Sequence, residues 1–224
     1  MNTHDNAQNS ENETTRYDRM DIEQARAFDE TASKIFAPIY PVIARQILDR
    51  TKVSRGVALD AGCGPAHLSL ALAQESELKL FAFDASPMML AIAYEHITDA
   101  GLVKRVVPVL GDVHDIPFED NSIDLIVSRG SWFFWDNLDL AFKEMYRVLS
   151  PGGMTFIGGG FGNAQLKKEI HATMAEMDPE FSKGVSNRMM TNNPDRIKKE
   201  LEKAEIQTYD LIQDDSGFWL IIRK

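Results

Sequence analysis

Apolar positions along this chain change their spacing from segment to segment, and these changes predict alternating helices and strands. Apolar side chains recur every three or four residues over residues 21–36 and 42–48, which is typical of helices packed on one face. Pro38 and Pro41 are expected to separate these two helices. Short apolar runs predict buried strands at residues 57–60, 78–84, 106–110, 123–128 and 154–157.

This alternation predicts an α/β fold in which crossover helices cover both faces of a mostly parallel sheet. Residues 150–153, Ser-Pro-Gly-Gly, predict a turn before the fifth strand. The end of the chain departs from the alternation. One helix follows Asn163 and another covers residues 194–204, and apolar runs at residues 207–212 and 218–223 flank Asp-Asp-Ser-Gly, a hairpin signal. We therefore expect an antiparallel hairpin at the edge of the sheet.

The length of 224 residues suits a single domain with a short extension. Residues 1–20 are polar and rich in asparagine, and they predict a flexible N-terminal tail. Residues 21–224 predict one domain, in which the helices of residues 21–54 cap the sheet and residues 163–190 form a candidate lid.

Composition narrows the classes of partner. A net charge of −10 argues against sequence-independent binding of nucleic acid, which needs a basic surface. No apolar stretch approaches the ~18 residues of a membrane helix, and the first residues do not resemble a signal peptide. We expect no membrane insertion and a cytoplasmic location. A single cysteine, Cys63, excludes an internal disulfide and a cysteine-built metal site.

The segment at residues 57–73, VALDAGCGPAHLSLALA, carries the clearest chemical signal. It reads as a strand that ends at Asp60, a turn made by Gly62 and Gly64, and a helix with Pro65 in its first turn. Glycine lets the backbone approach a ligand, and the helix amides point toward it. The segment therefore predicts a nucleotide-type site.

Carboxylates also follow the next two strands, Asp84 and Asp112, and ligands of parallel sheets bind at these strand ends. A dinucleotide is the main competitor, but the glycine spacing is G-x-G-x-A rather than G-x-G-x-x-G. A carboxylate such as Asp60 at ~4 Å from a diphosphate would cost roughly 4 kcal/mol per charge pair at an effective dielectric constant of ~20. A ligand with an ammonium and a sulfonium would instead be favoured, which points to S-adenosylmethionine.

Five blocks in order strengthen this interpretation: VALDAGCGPAHLSLALA, FAFDASPMML, GDVHDIPF, IDLIVSRGSWFFW and FKEMYRVLSPGGMTFIGGG. On these blocks, residues 57–224 resemble the class I S-adenosylmethionine-dependent methyltransferases, nearest to those that act on small molecules. The resemblance implies a Rossmann-like, seven-stranded, mostly parallel sheet with an antiparallel last strand and helices on both faces. Ala66 departs from the family, because many members have a third glycine there, and we expect the alanine to be tolerated.

The resemblance also assigns the cofactor-binding residues of the glycine turn and the second strand. Gly62 and Gly64 contact the methionine part through their backbone, and Asp84 holds the ribose hydroxyls. Asp60 favours the positive charge. Cys63 contributes its backbone, and we favour a structural role for its thiol over a reactive one, because Asp60 denies it an electropositive setting.

Further along the chain, the resemblance places the adenine and the amino acid moiety. Ala85 and Met89 pack beside the adenine, and Asp112 and the Val113 amide contact its edge. Ser128 lies under the amino acid moiety.

Histidine offers the candidate acid or base. His114 follows Asp112 in a loop beside the predicted site and is a candidate catalytic residue, with a structural or solvent-exposed role as the alternative. His67 reads as a polar packing residue. No two histidines have metal-ligand spacing, so we expect no metal.

An aromatic run after the fourth strand supplies the candidate acceptor pocket. The run allows two interpretations, core packing or a pocket wall, and we expect both within the cluster. Arg129 is expected to meet a polar or anionic substrate group and is a second catalytic candidate. The predicted pocket residues are Tyr17, Tyr40, Arg129, Trp132, Trp135 and Gly159. Glycine at 158–160 either permits a tight chain reversal or opens the pocket mouth.

The expected reaction is transfer of the sulfonium methyl to a small-molecule acceptor by in-line displacement, with S-adenosylhomocysteine as product. Positioning can supply on the order of 7–11 kcal/mol for such a step. Two alternatives stay open: a protein that binds the cofactor without catalysis, and an enzyme that uses the cofactor for a transfer other than methyl. The sequence leaves open whether N, O, S or C is methylated, and we expect a monomer or a homodimer.

Overall fold

A computed structural model describes residues 20–224, which form one seven-stranded sheet in the order β3-β2-β1-β4-β5-β7-β6. Strands β1 to β5 are parallel, and β7 pairs antiparallel with both β5 and β6. The strands are β1 (Arg55–Ala61), β2 (Glu77–Asp84), β3 (Val106–Leu110), β4 (Ile123–Arg129), β5 (Leu149–Gly159), β6 (Tyr209–Asp214) and β7 (Gly217–Ile222). The predicted α/β sheet with its antiparallel hairpin is confirmed.

Eight α-helices lie among the described residues: α1 (Ile22–Lys34), α2 (Ile39–Thr51), α3 (His67–Glu75), α4 (Pro87–Asp99), α5 (Leu138–Val148), α6 (Ala164–Met177), α7 (Phe181–Thr191) and α8 (Pro194–Lys203). Helix α4 begins as its sequence suggests, because the Ser86 side chain accepts from the Met89 amide and proline occupies the first helical position. No helix within residues 20–224 combines the length and apolar composition needed to cross a membrane.

Side chains that alternate along the strands pack into two hydrophobic cores, one on each face of the sheet. Ala58 of β1 packs on the face covered by α2, α3 and α4, whereas Leu59 packs on the face covered by α5 and α8. Both side chains are completely buried. The carboxyl ends of the parallel strands therefore lie between two rigid layers.

Two element boundaries differ from the predictions, and one helix was not predicted. Strand β5 starts at Leu149, because the Ser-Pro-Gly-Gly segment is taken into the strand as an irregularity in its register with β4. Helix α2 starts at Ile39, since Pro41 lies in its first turn, where no intrahelical N–H is needed. Helix α7 was missed: Phe181, Val185 and Met189 recur every four residues, but the helix is only 11 residues long and none of its side chains is fully buried. The predicted tail lies outside the described residues except for Met20.

Helix α5 tests the packing of the second face. Phe142 is fully buried there, whereas Leu140 on the same helix is 45% exposed. We expect Phe142→Ala to lower the free energy of unfolding by about 3–5 kcal/mol and Leu140→Ala to change it by about 0.5 kcal/mol or less. Urea denaturation of both variants checks this, and equal losses would contradict the packing described.

Candidate active site

A cavity of about 430 Å³ opens at the carboxyl ends of the parallel strands, a volume typical of small-ligand sites. Its floor comes from the ends of β1, β2, β4 and β5. Helix α7 contributes four lining residues and α3 two, whereas α1, α2, α4 and α6 contribute one each; the β6–β7 hairpin contributes Asp214, Asp215 and Gly217. Asp60 and Asp84 make one end of the cavity acidic, whereas the other end contains aromatic rings, Arg129 and Arg188, with Asp214 and Asp215 of the hairpin at its edge.

The glycine turn after β1 forms the acidic end and is held to β2 by backbone hydrogen bonds. The amides of Gly62 and Cys63 both donate to the Phe83 carbonyl, at 2.8 and 3.0 Å. The Gly64 amide donates to the Asp84 carboxylate at 2.8 Å. Gly62 has φ +70°, and a Cβ there would lie 2.3 Å from the Ser131 hydroxyl. The turn thus requires glycine and brings two carboxylates to one cavity.

Ala66 follows this turn and keeps the backbone path of a glycine. Its φ of +67° lies in the left-handed region, and its side chain is fully buried. For a residue other than glycine this conformation costs roughly 1–2 kcal/mol. The turn therefore tolerates the alanine at the expense of local strain.

Asp60 is the buried charge of the acidic end, with 1% of its surface exposed. Burial raises the pKa of its carboxyl to about 7, and the nearby charge of Asp84 adds to this, while the Ser69 hydroxyl donates to it at 2.6 Å and opposes the shift. Such a carboxylate becomes fully ionised at neutral pH when a cation lies beside it. The acidic end therefore suits a positively charged ligand.

The opposite end of the cavity is built on Arg129. Its Nε and Nη2 each donate to the Gly160 carbonyl at 3.2 Å. The guanidinium lies over the Phe36 and Phe161 rings, at 5.2 and 5.6 Å from their centroids. Burial lowers the pKa of Arg129, and the positive charge of Arg188 adds to this. Within residues 20–224, Arg129 has no ion pair with a carboxylate.

The comparisons with known proteins agree with this geometry. The family model described as a methyltransferase domain matches residues 59–157, from β1 to β5. A solved structure from Methanococcus maripaludis, assigned as an S-adenosylmethionine-dependent methyltransferase, is 45% identical to this chain with a TM-score of 0.89. That match covers 91% of this chain and 93% of the other.

The chain belongs to the S-adenosylmethionine-dependent methyltransferases. S-adenosylmethionine is the cofactor of this family, and the acidic end of the cavity, with its glycine turn and two carboxylates, fits that cation.

Curated relatives match over shorter segments. The ubiquinone/menaquinone biosynthesis C-methyltransferase UbiE of Idiomarina loihiensis is 26% identical over 154 residues, which are 67% of this chain and 59% of that protein. The mitochondrial arginine-hydroxylase NDUFAF5 of Mus musculus is 31% identical over 133 residues, 58% of this chain and 37% of that protein. The chain thus spans less than two thirds of the length of these relatives.

Most residues predicted to bind the cofactor line the cavity of this methyltransferase. The lining includes Asp60, Gly62, Cys63, Gly64, Asp84, Ala85, Met89, Asp112 and Val113. Burial raises the pKa of the Cys63 thiol well above its ordinary value, and the charges of Asp84 and Asp60 add to this, which supports the structural role. These residues come together because each follows a parallel strand or begins the next helix.

Ser128 is placed differently from the prediction. It is fully buried and does not line the cavity, and its hydroxyl lies 2.7 Å from that of Ser131. Ser131 lines the cavity and donates to the Ala61 carbonyl at 3.0 Å. The cavity-facing hydroxyl therefore comes three residues later, because the chain turns at Gly130 after the strand ends. The second serine of the SRGS sequence was the signal that could have identified this cavity-facing hydroxyl.

Trp132 was predicted to line the acceptor pocket, and this placement is wrong. Its side chain is fully buried in the core, 5.3 Å from the Phe133 ring and 5.5 Å from the Phe218 ring. Residues Trp132–Phe134 form one 3₁₀ turn, which directs successive side chains about 120° apart. Phe133 and Trp135 reach the cavity, while Trp132 turns into the sheet.

The other predicted pocket residues divide as follows. Tyr40, Arg129 and Gly159 line the cavity, and Tyr17 lies outside the described residues. A Cβ at Gly159 would lie 2.7 Å from the Phe133 ring, so glycine there admits an aromatic wall. Sequence reasoning missed cavity-lining residues on two helices: Phe28 of α1, and Phe181, Val185, Arg188 and Met189 of α7.

His114 lines the cavity, but both of its ring nitrogens are engaged. Nδ1 lies 2.6 Å from the Asp112 carboxylate, and Nε2 contacts the Asp136 carbonyl. The ring thus joins the loop after β3 to the segment before α5. The geometry favours the structural alternative, and a role as base stays a prediction.

The expectation of no metal rested on the spacing of the histidines along the sequence. That spacing does not show which histidines meet in the folded chain. His67 and His96 lie on different helices, and folding brings their ring centroids to 4.9 Å, both beside Asp29. The expectation of no metal therefore stays a prediction, because the folded chain brings together two histidines that the sequence separates.

The raised pKa of Asp60 predicts how cofactor affinity depends on pH. Below about pH 7, binding of a cation favours release of the Asp60 proton, so the Kd for S-adenosylmethionine should fall as pH rises, by up to about tenfold per pH unit, and level off above it. Calorimetry over this range checks the trend. Asp60→Asn is the control, because any pH dependence that comes from titration of S-adenosylmethionine itself is the same for this variant. An identical pH dependence in both proteins would contradict the assignment of the effect to Asp60.

Proposed function

We propose that this protein transfers the methyl group of S-adenosylmethionine to a small-molecule acceptor that carries an anionic group beside an apolar body. The observation that carries the proposal is the division of one cavity into an acidic end and an aromatic, basic end. The acidic end contains Asp60 and Asp84, and the opposite end contains Arg129 and Arg188. A cation and an anion bound at these two ends would be oriented toward each other.

The acidic end supplies orientation for the donor. When bound, S-adenosylmethionine offers an electrophilic methyl carbon, and attack by a lone pair of the acceptor displaces the sulfur, which keeps the bonding electrons. Asp60 is buried, and the hydrogen bond to Gly64 holds Asp84 in place before any ligand arrives. This arrangement needs little reorganisation, so binding geometry can contribute much of the rate.

The aromatic end supports the proposed acceptor class. Phe36, Phe161 and Phe181 form a ring cluster with centroid separations of 6.1 to 6.4 Å, and all three line the cavity. Such walls suit an apolar body and exclude water from the transfer site. The Arg129 guanidinium, directed by the Gly160 carbonyl and two rings, can give charge-assisted hydrogen bonds to a carboxylate or phosphate.

The size of the cavity also favours a small molecule over a macromolecule. About 430 Å³ has to accommodate both the cofactor and the reacting group. UbiE, whose name describes quinone biosynthesis, and NDUFAF5, named an arginine-hydroxylase, differ in acceptor and in reaction, so the relatives leave the reaction class open.

Two variants test the two ends separately. Asp84→Asn should abolish calorimetric binding of S-adenosylmethionine, because it removes the carboxylate predicted to hold the ribose. Arg129→Gln should leave that binding unchanged and raise the KM for anionic acceptors about 10- to 100-fold, the value of a hydrogen bond to a charged group. Lys183→Gln, an exposed cation on α7 that does not line the cavity, is the control.

The assay uses a panel of aromatic and aliphatic carboxylates and phosphates with their neutral esters, and mass spectrometry of the products. A mass gain of one methyl group with release of S-adenosylhomocysteine is expected. Preference for the neutral esters would contradict the anionic acceptor. A gain of one oxygen atom would instead identify a hydroxylase, and cofactor binding without turnover of any acceptor would favour a non-catalytic binder.

A further inference from the structure

We propose that Asp29, His67 and His96 form a binding site for one divalent transition-metal ion beside the cofactor cavity. The three side chains come from α1, α3 and α4. Their nearest ligand atoms all lie within 4.8 Å of one another. This site is independent of the proposed reaction and can be tested without it.

The distances suit a shared ion. His67 Nε2 lies 2.8 Å from one oxygen of Asp29, and His96 Nε2 lies 3.2 Å from the other. Ligand atoms held 2.0–2.1 Å from a tetrahedral ion are about 3.3 Å apart. Small side-chain adjustments would therefore bring the three groups onto one ion. The three side chains are only 13 to 24% exposed, so the site is sheltered from competing water.

The hydrogen bond made by the other nitrogen of His96 supports the proposal. Nδ1 lies 3.0 Å from the Pro65 carbonyl, which can only accept, so Nδ1 carries the proton. Nε2 is then the ring nitrogen left to bind an ion, and it lies 3.2 Å from the Asp29 carboxylate. A backbone acceptor on the far nitrogen is also the usual support of a metal-bound histidine.

His67 contributes the second nitrogen. Its Nε2 lies 2.8 Å from Asp29, and its ring centroid lies 4.9 Å from that of His96. The Tyr40 ring stacks on the His67 ring at a centroid distance of 5.2 Å, which fixes its plane. In the metal-free protein, the Nε2 contact with Asp29 is a hydrogen bond, and an ion would replace that hydrogen.

The ligand set indicates the kind of ion. Two imidazoles and one carboxylate suit Zn²⁺, Fe²⁺, Co²⁺ or Ni²⁺, whereas Mg²⁺ and Ca²⁺ prefer oxygen ligands. Three protein ligands leave at least one position open. Because His67 also lines the cofactor cavity, as does Phe28 next to Asp29, the ion would lie at the cavity wall.

Metal titration of chelator-treated, untagged protein tests the site. We expect wild-type protein to bind one equivalent of Zn²⁺, and one of Co²⁺ with the visible absorption of a low-symmetry site, and to gain thermal stability as Zn²⁺ is added. His96→Ala and Asp29→Asn should weaken the affinity at least about 100-fold and lose the stabilisation. Asp29→Asn is the milder variant, because it keeps the shape of the side chain.

His171→Ala is the matched control, since His171 lies on α6, outside the three-residue cluster, and bonds to Ser182. It should bind both ions like wild type. Circular dichroism establishes that each variant is folded. Failure of the folded wild-type protein to bind either ion stoichiometrically would overturn the proposal, as would equal affinity in the Asp29→Asn variant.

Discussion

Everything at the carboxyl edge of the sheet depends on how the turn after β1 is held to the end of β2. The Phe83 carbonyl accepts from two successive amides of the turn, and the Asp84 carboxylate accepts from a third. The parallel register places Asp60 beside Ala82. These constraints put Asp60 and Asp84 at the same cavity wall, where burial and the charge of Asp84 both raise the pKa of Asp60. Two carboxylates held at this wall are stabilised when a cation binds beside them.

The distribution of charge in the cavity follows from which strands end where. Asp60 and Asp84 belong to the ends of β1 and β2, and Arg129 belongs to the end of β4 on the other side of β1. Gly160, which follows β5, directs the Arg129 guanidinium through its carbonyl. In the proposed reaction, the order of the strands therefore places the cofactor beside β1 and β2 and the anionic acceptor beside β4.

The residues on the cofactor side could be predicted from local sequence, because each of them acts through its position in a strand or turn. Asp60, Asp84 and Asp112 could be found from the ends of apolar runs alone, and the family resemblance added Ala85 and Met89. The acceptor side could not be found this way. Trp132 and Phe133 are adjacent in a run of aromatic residues, and only the 3₁₀ turn decides which one faces the core. Helix α7 was overlooked because its apolar positions, Phe181, Val185 and Met189, form a short stripe that faces the cavity and is not fully buried in a core.

The least predictable feature is the one that joins the N-terminal cap to the cofactor motif. His67 and His96 are 29 residues apart and Asp29 precedes both by more than 35, so their meeting requires the packing of α1 and α3 with α4. The His96 ring also bonds to Pro65 in the glycine turn. An ion or a proton held by this cluster would therefore fasten α1, whose Phe28 lies 3.8 Å from a Cβ position at Gly64, over the mouth of the cofactor site. Helix α1 is thus attached to the strand ends by side-chain contacts and not by hydrogen bonds of the sheet.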